Sequence, residues 1–226
     1  MTRPTFTLIH GAGDVGWYWH LVEPELLERG YDVVAPDLPC EDDAAGLGEY
    51  ADTVVRAIGD RSPLVVVAQS SGGFTAPLVC ERVRVGLMVL VAPMIPVPGE
   101  APDDYWSNTG YGDEVTEHYE DEVELFYQDV PPELAAEALR HGRTQSTARM
   151  SEPSPLRAWP DVPTRVLLCR DDRLFPPRFL RRVARDRLGI EADEMGGGHT
   201  PALSHPTELA ERLAAYAAEV GLGGSA

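Results

Sequence analysis

The chain alternates apolar runs of strand length with amphipathic stretches of helix length, and this pattern predicts an α/β fold. The runs at 5–9 and 64–68 are continuously apolar or β-branched, as is typical of parallel strands buried on both faces. With 226 residues the chain is long enough to bury one sizeable core. We therefore expect a mostly parallel sheet of about six strands with helices on both faces.

The individual elements follow from the same patterns. The predicted strands are 5–9, 32–35, 64–68, 86–92, 164–169 and 191–195. The predicted helices are 17–29, 50–58, 74–80, 177–187 and 206–220. Together they predict a single domain over residues 1–226, with its core formed by about 1–95 and 161–226.

One segment, from residue 93 to about 160, interrupts the alternation and is rich in proline, acidic and aromatic residues. It carries helix-like stretches near 117–127 and 132–141. A long insertion between two core strands predicts a helical lid, about 96–160, over the carboxyl edge of the sheet. The glycine-rich tail at 221–226 is predicted to be disordered.

Charge and composition exclude several classes of function. The net charge of −18 argues against nucleic acid and anionic membranes as partners, and we interpret it as a solubility feature. The chain contains no lysine, because all 19 basic residues are arginine. This excludes Schiff-base, pyridoxal-phosphate and phosphate-loop chemistry, each of which requires lysine.

The three cysteines, Cys40, Cys80 and Cys169, have no metal-ligand spacing, and Cys80 and Cys169 are expected to be buried, inert thiols. We predict that neither a metal nor a cofactor is needed. No signal peptide or membrane span is visible in the sequence, so a cytoplasmic location is expected.

Ser70 is the candidate nucleophile, because it ends the apolar run 64–68 in a turn of small residues and precedes a helix. A serine on such a strand-to-helix turn projects its hydroxyl above the sheet. The positions two before and two after the nucleophile must be small. Centred on Ser70 these are Ala68 and Gly72, whereas centring on Ser71 would place Gln69 there.

The candidate base and orienting acid follow later strands. Asp171 and Asp172 follow the strand at 164–169, and the spacing to the next Phe-Pro favours Asp172 as the orienting acid. Taken alone, this peptide fits an ordinary acidic loop equally well. His199 follows a short strand on a glycine-rich loop and has the best context for a general base. His205 is expected to be structural. The remaining candidates lie on predicted helices and are expected to be surface or packing residues: His20, His118 and His141.

An oxyanion site is expected from the loop after the first strand, where His10 is followed by Gly11, Ala12 and Gly13. The backbone N–H groups of Ala12 and Ser71 are the best candidate donors. The order serine, aspartate, histidine along the chain is that of α/β-hydrolases.

On these motifs the chain resembles the α/β-hydrolase superfamily over nearly its whole length. His10-Gly11-Ala12 with Trp17-Tyr18-Trp19, and the run 198–204 after the strand, resemble the plant methyl esterase and hydroxynitrile lyase branch. The lyases of that branch carry a lysine directly after the catalytic histidine. Thr200 occupies that position here, which argues against lyase activity.

The sequence therefore predicts a serine hydrolase that cleaves a small apolar or aromatic ester through an acyl-enzyme, as a monomer or homodimer. The alternatives are a cofactor-free lyase or cyclase reaction in the same site, a ligand-binding receptor that retains the triad, and an inert scaffold. Side chains of the insertion and of the oxyanion loop are as easily packing residues as substrate contacts. The candidate substrate contacts are Gly11, Trp17, Gln69, Trp106 and Phe126.

Overall fold

The computed structural model describes residues 3–224 and is built around one six-stranded sheet in the order β2-β1-β3-β4-β5-β6. Every neighbouring pair of strands is parallel. The strands are β1 Thr5–Ile9, β2 Asp32–Val34, β3 Leu64–Gln69, β4 Leu87–Val91, β5 Thr164–Cys169 and β6 Asp193–Met195. The predicted α/β class and strand number are confirmed.

The central strands are buried on both faces, as their apolar composition predicts. Every residue of β1, β3 and β4 is buried. Alternate side chains of a strand point to opposite faces, so Val66 joins one apolar cluster while Val65 and Val67 join the other. The two clusters lie under helices on the two sides of the sheet.

The α-helices are α1 Val22–Glu28, α2 Leu47–Ile58, α3 Ala76–Cys80, α4 Tyr105–Asn108, α5 Tyr111–Glu114, α6 Glu122–Phe126, α7 Pro132–His141, α8 Pro177–Leu188, α9 Pro201–Ser204 and α10 Pro206–Glu219. The predicted helix 17–29 is in fact a 3₁₀ turn at Gly16–Trp19 followed by α1. Pro24 lies in the first turn of α1, the part of a helix in which its missing N–H costs least.

The insertion, residues 92–163, contributes the four helices α4 to α7. The predicted helix near 117–127 begins only at Glu122, so His118 lies on a loop and not on a helix. A buried ion pair fastens the insertion to α8. Glu100, with a fully buried side chain, pairs with Arg187 at 2.5 Å and accepts a hydrogen bond from Asn108 at 3.0 Å.

The structure also bears on the expected burial of the cysteines, the tail and the absence of a membrane span. Cys40 and Cys169 are buried, whereas Cys80 is only partly so; burial still raises the pKa of the Cys80 thiol to about 12. The tail is predicted to be disordered, but Leu222 packs against the apolar cluster that contains Val65 and Val67. Ser225 and Ala226 lie outside the described residues, as do Met1 and Thr2. Over residues 3–224, no helix is long and apolar enough to cross a membrane.

Candidate active site

Ser70 sits on a strained turn at the end of β3. Its φ of +51° lies in the left-handed region, which a non-glycine residue adopts at a cost of about 1–3 kcal/mol. The turn is tight: a Cβ on Gly72 would lie 2.9 Å from the His10 carbonyl oxygen, and one on Gly73 would collide with the Met94 carbonyl. The small residues after Ser70 are therefore required by close backbone approach.

His199 lies against Ser70 at the carboxyl edge of the sheet. Its Nε2 is 3.0 Å from the Ser70 Oγ, within hydrogen-bond distance. A hydrogen bond to the end of β3 fixes the loop that carries the histidine: the Gln69 side-chain amide donates to the His199 carbonyl at 3.0 Å. Both His199 and Gln69 are buried, so the imidazole has one defined place.

Asp172, and not Asp171, faces the histidine. The Asp172 Oδ2 lies 2.9 Å from the His199 Nδ1. Its other oxygen accepts from the backbone N–H groups of Leu174 and Phe175, each at 2.9 Å, and the side chain is fully buried. Asp171 is exposed. The backbone after β5 thus fixes one carboxylate of the adjacent pair beside the imidazole.

The two predicted oxyanion donors border the same cavity as Ser70. Ser71 is the second residue of the 3₁₀ turn at Ser70–Phe74, and a backbone N–H in such a first turn has no partner within its own helix. Within residues 3–224, the Ala12 N–H donates to no protein acceptor. A Cβ on Gly11 would lie 3.1 Å from the Ser70 Cβ, which explains a glycine there. The arrangement leaves both amides available to a ligand.

His10 supports this loop from the core and takes no part in the constellation of Ser70 and His199. Its Nδ1 lies 2.8 Å from the Gly11 carbonyl, and its Nε2 accepts from the Leu38 N–H at 3.0 Å. Burial lowers the pKa of His10 to about 4. The imidazole is therefore neutral at physiological pH, which suits its roles as donor to Gly11 and acceptor from Leu38.

This buried histidine makes the stability pH-dependent in a defined direction. Between about pH 6.5 and 4 the unfolded chain binds a proton at His10 that the folded chain excludes, so stability falls as the pH falls through this window. The integrated loss is about 3 kcal/mol. We expect His10→Gln to show a flatter dependence across that window in urea denaturation, at lower stability near pH 7. Equal slopes for the two proteins would contradict this account.

The cavity above Ser70 has a volume of about 340 Å³. Four of the five predicted substrate contacts line it, namely Gly11, Gln69, Trp106 and Phe126. Trp17 does not line it, because its ring stacks between His20 and His141, with centroids at 4.0 and 4.3 Å. Trp17 therefore packs against the C-terminal end of α7. The sequence left open whether it is a packing residue or a substrate contact.

Several residues of the cavity wall were not singled out from the sequence. Met94, Leu174 and Phe175 supply apolar wall, and the polar additions are Asp14 and Glu122. Burial raises the pKa of Asp14 to about 6. The position of Asp14, four residues after His10 on the oxyanion loop, is the only sequence signal that could have identified it.

The insertion also holds the two loops that carry His199 and Asp172. The Thr200 hydroxyl donates to the Phe126 carbonyl at 2.7 Å. The Gly198 N–H donates to the Asp129 carboxylate at 2.7 Å, and the Gln128 side chain donates to the Asp171 carbonyl at 2.9 Å. A Cβ on Gly198 would lie 2.7 Å from Asp129 and collide with Gln128, so the glycine permits this contact.

Asp129 is thus expected to position the histidine loop. Asp129→Ala leaves the Gly198 N–H without its acceptor, and we expect kcat to fall by about 10- to 100-fold with little change in KM. Asp129→Asn retains an acceptor oxygen and should recover most of kcat. Steady-state kinetics with melting temperatures check this, and Glu133→Ala, an exposed carboxylate of α7, is the control. Undiminished kcat in Asp129→Ala would refute the role.

No group of three or more histidine, cysteine, aspartate or glutamate side chains within residues 3–224 could hold a metal ion. The carboxylates nearest the nucleophile instead bind backbone amides or face the cavity.

Residues 8–212 match the model of the alpha/beta hydrolase family, so this chain belongs to that family. The predicted membership of the α/β-hydrolase superfamily is confirmed, and with it the prediction that the chain is an enzyme of this class.

Individual relatives agree with this assignment. The chain is 25% identical to a pyrethroid hydrolase of Sphingobium wenxiniae over 96% of its own length and 89% of the relative. It is 23% identical to norfluorocurarine synthase 1 of a Strychnos species, over 95% and 96% of the two chains. Among solved structures, polyneuridine aldehyde esterase superposes with a TM-score of 0.79 at 19% identity, covering 96% of this chain and 100% of the other. The predicted resemblance to the plant methyl esterase branch is consistent with these relatives.

Proposed function

We propose that the protein is a carboxylesterase that cleaves small apolar or aromatic esters through an acyl-enzyme on Ser70. The observation that carries this proposal is the hydrogen-bond chain from Ser70 to His199 at 3.0 Å and from His199 to Asp172 at 2.9 Å, opening into a 340 Å³ cavity. A serine in this arrangement has a base to take its proton and an acid to orient that base.

In the acylation step the Ser70 oxygen attacks the ester carbonyl carbon while His199 Nε2 takes the hydroxyl proton. The carbonyl oxygen becomes an oxyanion, for which we propose the N–H groups of Ala12 and Ser71 as donors. Asp172 stabilises the imidazolium that forms. When the tetrahedral intermediate collapses, His199 returns the proton to the departing alcohol oxygen, and Ser70 retains the acyl group.

Water completes the cycle. His199 takes a proton from a water molecule, whose oxygen attacks the acyl carbon, and the second intermediate collapses to free acid and a reprotonated Ser70. Every step uses groups of one chain.

The roles of the insertion as a lid, the cytoplasmic location and the monomeric or dimeric state remain predictions from the sequence.

The cavity wall supports an ester with apolar or aromatic parts. Trp106 and Phe126 present rings from the insertion, and Phe175 lies beside the imidazole, with its ring centroid 5.4 Å from that of His199. Gly11 and Gln69 complete the proposed contacts near the nucleophile. Aromatic walls bind the apolar parts of a substrate by burial of apolar area.

Labelling with a fluorophosphonate tests the proposal most directly, because the reagent reacts with an activated serine and requires no knowledge of the substrate. We expect one covalent adduct, mapped to Ser70 by mass spectrometry, and loss of p-nitrophenyl butyrate hydrolysis in step with labelling. Denatured protein is the control for non-specific reaction. Absence of a Ser70 adduct would overturn the assignment.

A non-hydrolytic reaction in the same site is the second candidate, since one relative is named a synthase. Lysine-dependent lyase chemistry is disfavoured, because Thr200 stands where the lyases carry lysine and its hydroxyl is bonded to the Phe126 carbonyl. Product analysis separates the candidates. Hydrolysis in ¹⁸O-water transfers label to the acid product, whereas a lyase or cyclase reaction proceeds without that incorporation.

A further inference from the structure

A second, smaller cavity adjoins the catalytic one at the oxyanion loop. Its volume is about 50 Å³. The two cavities share four lining residues, Gly11, Ala12, Ser71 and Met94. Neither Ser70 nor His199 borders the smaller cavity, which we call the inner chamber. The inner chamber therefore begins beside the proposed oxyanion donors and lies away from the catalytic imidazole.

Most of the inner chamber wall is hydrocarbon and sulfur, contributed by Leu38, Leu47, Phe74, Met94, Pro102 and Met150. Three of its polar side chains, those of His10, Tyr50 and Gln145, are already committed to protein partners. Both ring nitrogens of His10 are bonded, and the Tyr50 hydroxyl accepts from Gln145 at 3.0 Å. The Gly13 N–H donates to the same Gln145 side chain at 3.2 Å. A ligand group inside would find few free partners, so an apolar group fits best.

The catalytic cavity differs in both size and chemistry. It is several times larger, and it presents Asp14, Glu122 and Tyr127 alongside its aromatic rings. The Asp14 carboxylate accepts a hydrogen bond from the Val15 N–H at 2.9 Å. Polar substituents of a ligand would find partners there and not in the inner chamber.

The stereochemistry of ester cleavage assigns the two cavities different halves of the substrate. The acyl carbon bonded to Ser70 Oγ carries three other groups: the oxyanion, the leaving oxygen and the first carbon of the acyl chain. The leaving oxygen must lie near His199 Nε2, which donates its proton, and the oxyanion must face the Ala12 and Ser71 amides. The acyl chain then occupies the remaining direction, away from the imidazole.

On this basis, and resting on the proposed esterase function, we propose that the inner chamber binds the hydrocarbon end of the acyl group, while the alcohol or aryl half lies in the catalytic cavity. A cavity needs about 10–15 Å³ of such volume to hold one water molecule, so the chamber holds only a short chain, roughly two to four acyl carbons in all. The substrate class is therefore a short-chain fatty acyl ester of a larger alcohol or phenol.

The acyl-length profile tests this inference. Each methylene buried in the chamber should raise kcat/KM by about fourfold until the chamber is full, after which further methylenes should lower it. We expect the wild-type optimum among p-nitrophenyl acetate, propionate and butyrate, with a decline by octanoate. Leu47→Trp, which fills the chamber, should move the optimum to acetate, and Met150→Ala, which enlarges it, should move the optimum toward hexanoate.

Leu174→Ala is the matched control, because Leu174 lines only the catalytic cavity. It should leave the acyl optimum in place and change selectivity along a series of acetates with increasingly large alcohols. Melting temperatures establish that each variant is folded. The two chamber variants shift in opposite directions, so general destabilisation cannot reproduce both results.

The outcomes separate failure of this inference from failure of the proposed function. If wild type hydrolyses esters but Leu47→Trp and Met150→Ala keep its acyl profile, the acyl group lies elsewhere and the inference is overturned. The same holds if Leu174→Ala moves the acyl optimum instead. If wild type hydrolyses no ester of either series and Ser70 takes no fluorophosphonate, the esterase function itself fails.

Discussion

Ser70→Ala is expected to lower kcat for p-nitrophenyl butyrate by about 10⁴-fold or more, because the acyl-enzyme cannot form without the hydroxyl. The replacement removes one oxygen from a side chain whose backbone is held by the Met94 N–H donating to the Ser70 carbonyl at 2.9 Å. The fold should therefore persist. Residual activity would come from the oxyanion donors and binding alone.

Ser71→Ala is the matched control, since it removes the same atom one residue away. Its backbone N–H, the proposed oxyanion donor, stays in place, so we expect at most a severalfold effect. Initial rates at saturating substrate, divided by the concentration of folded protein, give kcat for each variant. Near-complete loss in Ser71→Ala together with near-normal turnover in Ser70→Ala would reverse the assignment of the nucleophile.

Asp172→Asn is expected to lower kcat by about 10⁴-fold, because the amide stabilises the wrong tautomer of the histidine and cannot compensate the imidazolium charge. The oxygen that faces His199 Nδ1 at 2.9 Å is the one that matters. Asp171→Asn should change kcat by less than about threefold, since that side chain is exposed and its backbone atoms make the local contacts.

The comparison is informative because the two substitutions are chemically identical and adjacent. Both remove one negative charge from the same loop, so a general electrostatic effect on this acidic protein would appear in both. The Asp172 backbone-accepting oxygen has a counterpart in asparagine, which limits local unfolding. A larger loss in Asp171→Asn, measured on folded variants, would contradict the geometry.

The sheet could be predicted from the sequence because burial on both faces demands continuous apolar runs, which are visible in the chain at β1, β3 and β4. The ends of the helices were harder to predict from the sequence. The break of the predicted helix 17–29 before α1 and the late start of α6 at Glu122 depend on local backbone choices that apolar periodicity does not report.

The candidate triad could be predicted from the sequence for a similar reason. Ser70, Asp172 and His199 each follow a strand, and the carboxyl ends of parallel strands meet at one edge of the sheet. The alternative of an ordinary acidic loop at Asp172 was resolved only by distance. Trp17 illustrates the opposite case, because its stacking on His141 joins elements more than a hundred residues apart.

The sequence by itself determined the fold class, the order of the candidate catalytic residues and the exclusion of lysine chemistry, since these depend on residue types and on local periodicity. Only the tertiary structure decided which carboxylate faces the imidazole, that Asp129 holds the Gly198 amide, and that an apolar chamber adjoins the oxyanion loop. Each of these depends on contacts between segments distant along the chain, whose directions are set by packing and not by pattern.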